Sequence, residues 1–219
     1  MLMQGRHEGF SLIELMIATA IGLTLLSGLV YLFIGFSHAQ TDRLMTLRLQ
    51  QELRAIMNVM INDIRRAGYW SGAGAAWKTP NGNGFTNVQI VGGDCLLYTY
   101  DARKDDKDGI PDSEDHGGFK LDKNRIRIRT SAPPCQGGKC GACDSGVWWT
   151  LNDEKSVSIT RLHFSQASGL AAGILPGTRQ LLRRIDIVLE GALVQAPAMS
   201  RTMRGSVYLP NAAVLISSP

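Results

Sequence analysis

Apolar and polar positions divide the chain into three stretches with different periods. From Leu15 to Ser37 there is no Asp, Glu, Lys or Arg, and the run is built of Leu, Ile, Met, Val and Phe with Ala, Thr, Ser and Gly. At about 1.5 Å per residue it is long enough to cross a hydrocarbon core of ~30 Å. Gly22, Gly28 and Gly35 offer small packing positions along it. After Ser37 the helical character continues as an amphipathic pattern. Leu44, Leu47, Leu53, Ile56, Met57, Met60, Ile64 and Ala67 recur at helical spacings, and Asp42, Arg43, Arg48, Glu52, Arg54, Asn58, Asp63 and Arg65 fill the other side. Arg65 and Arg66 in the last turn and Gly68 as a left-handed cap close the helix. A helix from Phe10 to Ala67 would be about 87 Å long.

The third stretch has a period of two. Residues 71–86 are rich in Gly, Ala and Asn and read as a connector. Strand candidates follow at Val88–Val91, Cys95–Tyr100, Asn124–Thr130, Val147–Leu151, Val157–Phe164, Leu181–Leu193 and Thr202–Leu209. In the third of these, Ile126, Ile128 and Thr130 alternate with Arg125, Arg127 and Arg129, which reads as a sheet face turned to solvent. About 150 residues of this kind bury a core without help. The expected architecture is an antiparallel sheet wrapped against the helix, with room for a second sheet.

Composition narrows the classes. With 44% hydrophobic residues the chain is too apolar for disorder. Its 23 Lys+Arg stand against 19 Asp+Glu, too small an excess for a strong nucleic-acid binder. The chain lacks G-x-S-x-G, H-E-x-x-H, a Walker loop and a dinucleotide fingerprint, so no enzyme is expected.

The order of polar and apolar segments at the N-terminus is not that of a secretory signal peptide. A short polar leader, Met1 to Gly9, precedes the apolar run, and no Ala-x-Ala site closes it. Glu14 lies at the start of that run, where a carboxylate costs a few kcal/mol and is a functional hypothesis by default.

The sequence Gly9-Phe10-Ser11-Leu12-Ile13-Glu14-Leu15-Met16-Ile17-Ala18 resembles the cleavage and methylation signature of type IV prepilins and type II secretion pseudopilins. The resemblance implies that prepilin peptidase cuts after Gly9 and methylates the new amine of Phe10, and that Glu14 pairs with the N-terminal amine of a neighbouring subunit. A lone buried carboxylate gains from such a partner, which gives assembly both drive and register. The helix ending Asp63-Ile64-Arg65-Arg66-Ala67-Gly68-Tyr69 is similar to that of the PilW-like minor pilins. Asp94 to Asp101, Gly118 to Leu121 and Ile126 to Arg129 fit the same family.

That resemblance implies an α+β, pilin-like fold, with a membrane-spanning spine helix packed against a C-terminal antiparallel β-rich domain. The expected segments are a leader (1–9), an assembly helix (10–37), an amphipathic spine (38–68), a connector (69–86) and a periplasmic domain (87–219). The implied partners are prepilin peptidase, other minor pilins, the major pilin and a tip adhesin, in the inner membrane and then on the fibre. The implied role is priming of pilus assembly and formation of the tip complex. A J-like pseudopilin of a secretion system and a DNA- or surface-binding tip module are the alternatives.

Two further sites are open. Cys95, Cys135, Cys140 and Cys143 allow three pairings in an oxidising compartment, with Cys135–Cys140 and Cys95–Cys143 preferred; a zinc site is the rival. Asp106, Asp108, Ile110, Asp112 and Asp115 resemble the ligand spacing of calcium loops, although Lys104 holds the first ligand position. The alternative is a solvated acidic loop. No cofactor is required by either reading of the whole chain, and Ca2+ is the one candidate.

Overall fold

The computed structural model describes residues 9, 11–71, 84–102, 111–133, 142–172, 178–211 and 214–216. The chain divides into two compact units, Met1–Leu47 and Arg48–Pro219. One helix, α1 (Leu12–Ile64), supplies most of the described part of the first unit and the opening of the second. In the first unit its large apolar side chains are exposed from Leu12 to Phe36, and the helix is long and apolar enough to cross a membrane. Thr19, Thr24, Ser27 and Ser37 turn their hydroxyls back onto carbonyls one turn earlier, so their polar atoms are satisfied within the helix.

The second unit is an α+β domain with two antiparallel sheets. Strands β1 (Val88–Val91), β2 (Cys95–Thr99), β3 (His116–Asp122), β4 (Arg125–Ser131) and β5 (Val147–Thr150) form a meander in sequence order. Strands β6 (Val157–Ala172), β7 (Thr178–Leu193) and β8 (Ser200–Leu209) form the second sheet, and β9 (Val214–Ile216) pairs with β7 beyond the end of β8.

Leu49, Leu53, Ile56, Met57, Met60 and Ile64 of α1 are buried. They lie over β7 and β8, where side chains are smallest: a Cβ on Gly191 would sit 3.0 Å from Leu53, and one on Gly205 2.7 Å from the Met57 sulfur. The helical face differs from expectation at its start. Leu44 and Leu47 are exposed, and Leu49 is fully buried. At about 100° per residue Leu44 falls about half a turn away from Leu53, so it belongs to the other side of the helix.

The strands differ most from expectation in three places. β3 was not among the strand candidates, because Gly117 and Gly118 break its alternation. The glycine is there for space: a Cβ on Gly117 would meet the Tyr98 ring at 2.5 Å. β6 runs eight residues further than its alternation shows, and β9 is too short to read.

Candidate functional site

The start of α1 carries the first group of interest. Gly9 and Glu14 are exposed, and Phe10 lies outside the described residues. The Ser11 carbonyl accepts from the Glu14 and Leu15 N–H groups, 3.0 and 3.2 Å, which places the Glu14 carboxylate in the first turn. There it meets the positive end of the helix dipole while surrounded by Leu12, Ile13, Leu15 and Met16, all exposed. The arrangement offers an anion on an apolar surface that no described residue of the first unit covers.

The end of the helix is a fixed junction. Arg66 and Ala67 donate to the carbonyls three residues back, which tightens the last turn, and Gly68 then takes φ +79°. A Cβ at Gly68 would lie 2.5 Å from the Asn211 carbonyl oxygen, so the position needs glycine for its dihedral and for its space. Gly68 donates to the Thr99 carbonyl at 2.9 Å, and Asp101 donates to the Tyr69 carbonyl at 2.8 Å. Those bonds join the chain leaving the helix to the end of β2.

Side chains lock the same junction. The Tyr98 hydroxyl donates to Asp63, which also accepts from Arg66 at 3.1 Å. The Arg66 guanidinium lies 4.0 Å from the Tyr100 ring centre, and Tyr98 stacks on Tyr100. Burial, and then the Asp63 charge, push the Tyr98 phenol well above its ordinary range, so it remains a donor. The Asp63–Tyr98 pair was not legible in the sequence, since its members lie on different elements; the only signal was a tyrosine-rich strand after an Arg-Ala-Gly-Tyr ending.

The arginine strand is not the solvated face expected of it. Arg129 is 3% exposed, and Arg125 and Arg127 are half-buried. The reason is covalent. Cys95 on β2 is bonded to Cys143, which draws the segment before β5 across the sheet. Lys120 donates to the Cys143 carbonyl at 2.7 Å, and its ammonium lies 4.5 Å from the Trp148 ring centre. Arg125 pairs with Glu154 at 2.8 Å and Arg127 with Asp122 at 3.4 Å. Of the two tryptophans, Trp148 is held in this layer and Trp149 is exposed. Cys135 and Cys140 lie outside the described residues, and the bond to Cys95 removes Cys143 from any zinc set.

The acidic segment is seen only at its ends. Asp106, Asp108 and Ile110 lie outside the described residues. Asp112 precedes a short 3-10 helix, Ser113–Asp115, and each oxygen of the Asp115 carboxylate accepts one backbone N–H, from Ala102 and from Asp112, both at 2.8 Å. Burial raises the Asp115 pKa in spite of those two donors. Asp101 is buried and accepts from the Ser71 N–H at 2.9 Å. These carboxylates bind backbone N–H groups at the described ends of the segment. Among the described residues no cluster of His, Cys, Asp and Glu is arranged to hold a metal ion.

Comparison with known proteins adds two family matches. A model described as the prokaryotic N-terminal methylation motif matches residues 5–30, and one described as prepilin peptidase-dependent protein B matches residues 42–209. Prepilin peptidase-dependent protein B of Escherichia coli (strain K12) is 29% identical over 136 residues, covering 60% of this chain and 67% of that protein. No solved structure matches the chain.

Proposed function

We propose a role that proceeds from one fact: the chain belongs to the prepilin peptidase-dependent protein B family. It is a pilin-like structural protein and not an enzyme, and its N-terminal motif makes it a substrate of prepilin peptidase. The finer reading is that it acts as a minor type IV pilin. In that role it waits in the inner membrane, is cut after Gly9, and joins other minor pilins to prime assembly and form the tip of the fibre.

The observation that carries this reading is the uncovered apolar surface from Leu12 to Phe36 with Glu14 in its first turn. Apolar helices of neighbouring subunits would cover the surface, and the Phe10 amine of one would neutralise Glu14 of the next. The Cys95–Cys143 bond supports a domain on the oxidising side of the membrane.

The test is a pair of substitutions followed in cells. Gly9→Ala keeps the leader, so the mature mass is not reached. Glu14→Ala is processed normally but sharply lowers fibre number and recovery of other prepilins with this chain. Normal fibres in the Glu14 variant would refute the pairing; normal fibres with lost protein secretion would assign the chain to a secretion system instead.

A further inference from the structure

Among the described residues, one edge of the second sheet is left open over part of its length. Short edge strands, charges, prolines and covering turns are how proteins keep sheet edges from pairing with other chains. β1 and β5, the edges of the first sheet, are four residues each. β8 carries Arg201 and Arg204 and ends at Pro210. β6 is different along its length. In its first half the turns of the first sheet cover it: Ile159 donates to the Asn124 carbonyl at 3.0 Å and Phe164 to the Gly93 carbonyl at 2.7 Å.

Beyond Phe164 no described residue continues those bonds. Because Phe164 points its N–H away from β7, the antiparallel alternation turns Gln166, Ser168 and Leu170 away from β7 too. Their backbone groups bond to no other described residue. From Ser165 to Ala172 the strand has no charge and no proline, and Leu170 is 55% exposed. Small residues, Ala167 and Gly169, leave the outer face low beside exposed Leu182 on β7.

Charge selects the occupant. β7 opposite this edge carries Arg179, Arg183 and Arg184 before its first acid, Asp186. Arg183 is engaged by the Thr86 carbonyl and Arg184 by Asp186, and Arg179 is exposed without an acid beside it among the described residues. A second copy meeting this edge would bring the same uncharged strand, with no acid to meet Arg179.

We propose that β6 from Ser165 to Ala172 is the docking edge for an extended, net-acidic strand of a different pilin-type subunit, which continues the second sheet by backbone pairing. This deepens the assembly role proposed above and rests on it: helices associate within the membrane, and this edge selects which subunit lies beside the domain.

The experiment uses the full chain in its own membrane, with photo-activated p-benzoylphenylalanine in place of Leu170. The expected product is an adduct with a different pilin-type subunit, the crosslink falling on an extended acidic segment. Ser168→Pro removes an N–H that the β7 ladder does not use, so the Cys95–Cys143 bond forms and the adduct is lost. Arg179→Glu lowers the adduct and Arg179→Lys restores it, which keeps the test decisive should the proline variant misfold. An adduct with a second copy, an adduct on a helix or a basic segment, or an adduct indifferent to both Ser168→Pro and Arg179→Glu would overturn the proposal, as would no adduct at all. Fibre number and its dependence on Glu14 read the pilin role separately. Loss of the edge with fibres intact therefore refutes the edge alone.

Discussion

Two stretches of one helix carry the same kinds of apolar side chain and meet opposite fates. From Leu12 to Phe36 the large apolar residues are at least half exposed, from Ile34 at 51% to Tyr31 at 78%. From Leu49 to Ile64 the six residues of the packed face are at most 5% exposed. Hydrophobicity alone does not separate the two. What separates them is polar interleaving: Arg48, Glu52, Arg54 and Asn58 restrict the second stretch to one buried stripe, which the domain's own sheets can cover. The first has no polar side, which suits the lipid and neighbouring helices of the role proposed above.

The comparison breaks most visibly at the bond that completes the covered half. Cys143→Ser opens a crosslink spanning 48 residues, and loop-closure entropy puts the loss at about 4 kcal/mol. Thermal or urea unfolding should show it, and Arg129 and Trp148 should become accessible. A paired substitution tests the contrast directly. Leu53→Ala should cost about 3 kcal/mol, the usual loss for a buried leucine. Leu29→Ala, the same change in the uncovered stretch, should leave domain unfolding unmoved and weaken recovery of other prepilins. Equal effects on the domain would end the distinction.

A smaller effect is expected at the junction. Gly68→Ala forces an L-residue into a left-handed dihedral against Asn211 and should cost about 2 kcal/mol. The smallest is a matter of pH. Burial, and then the Arg129 charge, lower the His116 pKa to about 4. Unfolded, the ring takes its proton near pH 6.5. Between those values the unfolded chain binds more protons, so acidification from pH 6.5 towards 4 destabilises the domain. Asp115, whose pKa is raised, acts in the opposite sense at the acid end. His116→Gln should flatten the slope of melting temperature against pH; an unchanged slope would remove His116 from the account.

Much of this layout was legible in residue spacing. The buried stripe from Leu53 to Ile64, the cap at Gly68 and the core of β7 follow from periods of 3.6 and 2, and β2 from its apolar run. Elsewhere the pattern misled for physical reasons. Leu44 and Leu47 are leucines on the wrong side of the helix. The arginines of β4 alternate as a solvent-facing strand would, yet a disulfide between Cys95 and Cys143, 48 positions apart, draws the segment before β5 across the sheet. The far half of β6 faces no core among the described residues, and it carries no alternation to find. Asp63 and Tyr98 meet only in three dimensions, and neither spacing nor composition joins them.

The crosslink between Cys95 and Cys143 has a consequence in time. Thiols stay reduced where the chain is made, so in the role proposed above the segment before β5 would be fastened only after both sulfurs had been exported. A domain in its final form would then bear a chemical stamp of its passage, and copies awaiting export would be told from finished ones by their free thiols.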